Sequence, residues 1–159
     1  MNDIFLKLSG VTGESLDHRH RDEIEVLRWE WSVSQMAGLH SGHGGGAGKA
    51  TVGDLRFDHY LDRSSPTLLK YCLGGRHIAN ATLVVRAAGG TPLEYLKIVM
   101  DDVIVTGVAP VTVDSMARVR EQVGLSFARV KQEYVIQNPQ GGSGGTVSFG
   151  YDIRANCEM

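Results

Sequence analysis

The sequence predicts a mainly β domain, closed as a small barrel, with one short α-helix. Three observations carry that prediction. Apolar and polar residues alternate with the two-residue period of a strand through most of the chain. Two long runs change phase partway, as strands do where they bend or bulge. One segment alone has helix punctuation.

The first alternating run places Ile4, Leu6 and Leu8 on one face. The next begins near Glu23. Ile24 and Val26 share one phase, whereas Leu27, Trp29, Trp31 and Val33 share the other. A one-residue slip turns every later side chain to the opposite face, so a bulge or a bend between sheets is expected here. Trp29 and Trp31 are expected to face the core, where two indoles bury a large apolar area. Arg28, Glu30 and Ser32 then face the other way and form a candidate working surface, such as a lumen wall or a partner face.

Leu55 and Phe57 mark another strand, Leu96, Ile98 and Met100 the next, and Val123, Leu125 and Phe127 one more. The phase slips again after Phe127, where Val130, Tyr134 and Ile136 take over. Val147, Phe149, Tyr151 and Ile153 close the chain with the cleanest alternation. Between these strands lies Ser64–Ser65–Pro66, a helix start with serine at the N-cap and proline at the first helical position. Leu68 with Cys72 and Leu69 with Leu73 lie four apart, and Gly74 suits the position after the last turn.

Composition excludes several functions. The net charge of −2 gives no basic stripe for phosphates and no polybasic patch for an anionic membrane. The opening MNDIFLKLSG lacks the basic start and apolar stretch of a signal peptide. Synthesis and folding in the cytoplasm are expected, with any export by a route that takes folded protein.

No chemical constellation is expected to be catalytic. Gly42 to Lys49 invites a phosphate-loop reading, but His43 stands where that loop needs glycine, and Ala50 where it needs Ser or Thr. The run is read instead as a long loop leaving the domain. His18 with His20 and His40 with His43 have no cysteine near them to complete a zinc site. The first pair reads as a solvated turn. Cys72 reads as a small buried hydrophobe, and Cys72 with Cys157 makes no disulfide framework. Asp101 and Asp102 are adjacent on a strand, so they are expected on opposite faces.

Read together, several segments resemble the Hcp (haemolysin-coregulated protein) family of type VI secretion. They are Ile4–Lys7 with Gly13–Ser15, Asp22–Leu27 running into Trp29–Glu30–Trp31, and His40–Ser41–Gly42 with the loop ending in Gly48–Lys49. Asp62–Pro66, Val84–Gly90, Glu94–Leu96, Leu125–Ala128 and Gly150–Asn156 follow. Their order and spacing cover essentially the whole chain.

The resemblance implies one domain over residues 1–159, a small β-barrel of two antiparallel sheets with a helix at its flank. It implies six copies in a ring, rings stacked as an inner tube, and contacts with a VgrG-like spike protein and a contractile sheath. Effector proteins ride in the channel. The protein passes from the bacterial cytoplasm to the extracellular space or a target cell without a signal peptide, as a bare tube subunit. No cofactor, metal, nucleic acid or membrane insertion is implied. The glycine loop is expected to reach the next subunit or ring, with Met36, Leu39, His40, His43 and Lys49 as candidate contacts. Thr106 to Arg120 lacks the glycine-rich loop of many relatives. A monomeric barrel with a small apolar ligand inside is the alternative, and bulky interior residues argue against it.

Overall fold

The computed structural model describes residues 2–36, 49–89, 92–112 and 118–159. It is mainly β. In chain order the elements are β1 (Asn2–Leu8), β2 (Ile24–Glu25), β3 (Arg28–Glu30), β4 (Val33–Ser34), β5 (Thr51–Val52), β6 (Leu55–Tyr60), α1 (Ser65–Gly74), β7 (His77–Ala87), β8 (Leu93–Val111), β9 (Arg120–Gln137), β10 (Ser143–Asp152) and β11 (Cys157–Glu158).

Nine strands form one antiparallel sheet whose main path runs β11-β10-β9-β8-β7-β1-β2, with β6 pairing both β9 and β3. β4 and β5 form a separate two-stranded sheet. The first phase slip is where the large sheet folds back on itself. Ile24 pairs with Leu6 of β1, whereas Trp29 pairs with Phe57 of β6. Between them the Val26 N–H donates to Ile4 O and the Leu27 N–H to Asp58 O. The segment thus changes neighbours from β1 to β6 at the residue where its phase changes. Among the described residues no pairing joins the β2 end of the main path to its β11 end, so the ladder does not close into one continuous ring of hydrogen bonds.

The second slip has a local cause. Asp102 holds a left-handed backbone with φ of 54°. Pairing across β7, β8 and β9 is interrupted at the row of Ala79, Asp102 and Ala128, and the same register resumes directly beyond it. On one side of that row Ala81, Leu83, Ile98 and Met100 are buried; on the other side Ile78, Val103, Val105, Leu125 and Phe127 are. One residue off the extended geometry turns the strand, and the two neighbouring strands turn with it. Asp101 and Asp102 therefore break the simple alternation expected of neighbouring strand residues.

The core lies inside this bend. Leu6, Leu55, Phe57, Leu68, Ile98, Met100 and Leu125 have no exposed surface. Trp29 and Trp31 are partly buried and pack against the core, as their phase predicts. The Trp31 indole N–H donates to Gly53 O at 2.9 Å, so its polar edge is satisfied.

Helix α1 differs from expectation in detail. Ser64 has helical backbone angles and makes no side-chain cap; its hydroxyl donates to Asp62 Oδ1. Gly75, not Gly74, takes the left-handed position after the helix, with φ of 61°. Leu68 is fully buried and Cys72 packs on the core, but Leu69 and Leu73 point to solvent.

Candidate assembly surfaces

Two surfaces carry the residues of interest. The first is charged. In β3, Arg28 and Glu30 alternate with the inward Trp29, and both are exposed, as is Ser32 beyond them. β6 lies alongside, with Asp58 opposite Arg28 and Arg56 opposite Glu30. On the far side of β6, Gln122 of β9 faces Asp58. Arg28 lies 3.6 Å from Glu30 and 3.9 Å from Asp58. Arg120 reaches the same Asp58 at 3.4 Å, and Gln122 donates to it at 3.3 Å. Asp58 thus meets cations from both neighbouring strands, Arg28 and Arg120, while the outer side of the band is left to solvent.

The second surface is apolar. The inward face of β8 and β9 continues sideways onto β10. Val130 pairs with Tyr151, Gln132 with Phe149 and Tyr134 with Val147. Over β7 and β8 that face is covered by the core; over β10 it is not. Val147 is 61% exposed and Phe149 57%. With Trp31, Val33, Val52, Tyr151 and Ile153, Phe149 lines an open groove of about 450 Å³. Val33 and Val52 belong to the β4–β5 stem, which leads toward residues 37–48. Met36 at its end is 84% exposed, and Lys49 is exposed as well. Leu39, His40 and His43 lie outside the described residues.

The pattern on β10 predicted a strand, but alternation alone does not say which face a neighbour covers. Val147 and Phe149 were therefore not legible as surface residues. His20, read as part of a solvated turn, is buried instead, with a carboxylate at each ring nitrogen. Among the described residues, no group of three or more His, Cys, Asp or Glu side chains is placed to hold a metal. No helix among them is long and apolar enough to cross a membrane.

The described residues form a bent, filled β-domain with one charged and one uncovered apolar face. Comparison with known proteins gives the family. Residues 5–134 match the family described as type VI secretion system effector, Hcp. The chain is 42% identical to protein hcp1 of Pseudomonas aeruginosa over 158 residues, 98% of each sequence. Its fold matches Hcp1 from Salmonella typhimurium with a TM-score of 0.81 at 48% identity, over 99% of both chains. It also matches a type VI secretion system effector from Yersinia pestis with a TM-score of 0.78 at 42% identity, over 94% of this chain and 99% of that one. The chain belongs to the Hcp family of secreted type VI secretion proteins.

Proposed function

We propose that this protein is a structural subunit of the type VI secretion inner tube. Six copies form a ring, rings stack, and the channel carries effector proteins. The protein leaves the cytoplasm with the tube, and the tube meets a VgrG-like spike at its tip and the contractile sheath around it.

The observation that carries the reading is the uncovered apolar face of β10. Exposed apolar patches rimmed by polar residues mark interaction sites, and Val147 and Phe149 are exposed on β10, next to β9. A second copy docking there head-to-tail buries the groove on one protomer only, and a rotation that closes yields a ring. The charged band of Arg28, Glu30 and Ser32 lies on a different face and serves as the channel wall. Reading the barrel as a small-ligand carrier fits less well, because Phe57, Leu125 and Met100 fill its interior.

Negative-stain microscopy of the purified chain and of Phe149→Glu tests this reading. Rings are expected for the parent protein. The variant is expected to keep the far-ultraviolet circular dichroism of the parent and lose the rings. A parent protein without rings at high concentration contradicts the reading; a ring-forming Phe149→Glu removes the groove from the contact.

A further inference from the structure

A head-to-tail contact needs two different surfaces, one to receive and one to be received. The β10 groove is a receiving surface, because it is concave and apolar. Its rim is acidic on one side. Glu158 of β11 stands directly opposite Tyr151, and residues paired across strands share a face. Tyr151 lines the groove, so the exposed Glu158 stands beside it.

Away from β10, exposed apolar side chains gather in two places. One is the end of the domain that carries Leu16 and Leu27. Leu61 and Val119 lie there too, joined by the Leu61 N–H to Val119 O bond, and Val111 is near them through its pairing with Arg120. Leu16 and Leu27 line a second concavity together with Glu14, Glu25 and Asp62. A hollow does not fill a hollow, and these carboxylates would meet Glu158 with like charge. The other place is the outward side of α1. Leu69 and Leu73 lie one turn apart on it, and Leu73 is 80% exposed. Lys70, three residues before Leu73, is exposed beside them. The helix Ser65–Gly74 contains no acidic residue. A helix side is convex, and this one bears a charge opposite to that of the groove rim.

The two surfaces also lie toward opposite ends of the sheet. Helix α1 leads into β7, and its Tyr71 hydroxyl lies 3.7 Å from where a Cβ on Gly10, just past β1, would stand. β7 and β1 are toward one end of the main path, and β10 and β11 form the other. A contact between them leaves each copy with one free helix and one free groove, so copies can keep adding until the chain of contacts closes.

We infer that the outward side of α1, through Leu69 and Leu73, seats in the β10 groove of a second copy of this chain, with Lys70 facing Glu158. The inference rests on the ring reading above and names the surface that fills the groove. Helix-in-groove docking uses side chains one turn apart as anchors, which is the spacing of Leu69 and Leu73.

Two variants, studied alone and then mixed, test the pairing by native mass spectrometry and negative-stain microscopy. Leu73→Glu spoils the helix and leaves the groove; Phe149→Glu spoils the groove and leaves the helix. Each alone, at a concentration where the parent forms rings, is expected to lose the rings and keep the circular dichroism of the parent. In the mixture, the groove of Leu73→Glu takes the helix of Phe149→Glu, and neither copy can extend further. The expected product is a mixed dimer with twice the mass of one chain. Lys70→Glu is expected to raise the concentration needed for rings several-fold, and Lys70→Glu with Glu158→Lys to bring it back. Rings from Leu73→Glu overturn the inference and leave the ring reading standing. A mixture that stays monomeric overturns it too, and a double charge variant no better than Lys70→Glu overturns the Lys70–Glu158 pairing. A parent without rings overturns both the inference and the reading beneath it.

Discussion

The Arg86 guanidinium grips Asp17 with both prongs, 3.1 Å from Oδ1 and 2.5 Å from Oδ2, and reaches Asp3 Oδ2 at 3.0 Å. A planar fork matched to a carboxylate is the geometry in which a charged pair outweighs its desolvation. Here it joins the Ser9–Glu23 loop to β7 and β1. The hydrogen bonds from Arg86 hold the Asp17 carboxyl well below the usual carboxylate range, against an opposing push from burial. The same bonds hold the Arg86 proton more tightly.

Arg86→Ala is therefore expected to cost about 2 kcal/mol at neutral pH, the value of hydrogen bonds to charged groups. Arg86→Lys, a point charge without the fork, is expected to recover part of it. Because the Asp17 carboxyl is held low when folded, its contribution is present above the ordinary carboxylate range and is lost as pH falls. The gap between parent and Arg86→Ala is thus expected to narrow below about pH 4. Urea denaturation at matched protein concentration, at neutral pH and at about pH 3, checks both statements.

Gly13 stands against the backbone it faces. A Cβ added there would come within 2.4 Å of Glu23 O and 2.7 Å of Glu23 C. Backbone cannot step aside as a flexible side chain would, so Gly13→Ala is expected to lose about 1–3 kcal/mol. Gly74, in the last turn of α1, has open space around it. Gly74→Ala is expected to be neutral or to add up to about 1 kcal/mol, because alanine favours helix over glycine. Thermal melts of the two variants side by side check the contrast.

Glu30→Trp separates the two faces. With Glu30 on the channel wall, rings form normally and an effector that copurifies with the parent is retained less. Loss of rings in that variant instead places Glu30 at a subunit contact. Size-exclusion profiles and pull-down of the cargo are the two readouts.

Much of the architecture was legible before the fold was known, because period and phase are properties of sequence. Both slips appear where the residues place them. The first marks the step from β1 to β6 between Val26 and Leu27; the second follows from the left-handed backbone at Asp102. What sequence could not show is which apolar face lacks a cover. Val147 and Phe149 have the same alternation as Leu125 and Phe127, yet one pair is exposed and the other buried, and only the sheet order tells them apart. The helix was found, but its outward side was not, since Leu69 and Leu73 have the spacing of a buried stripe. Arg28, Glu30 and Ser32 are exposed as their phase requires, whereas His20 was hidden by exposed, charged neighbours that looked like a solvated turn.

The most direct measurement is the native mass of the purified chain, by sedimentation or native mass spectrometry, across a range of concentrations. Assembly through the β10 groove predicts a species close to six times the 17.3 kDa of one chain. A strict monomer at the highest concentration would contradict it.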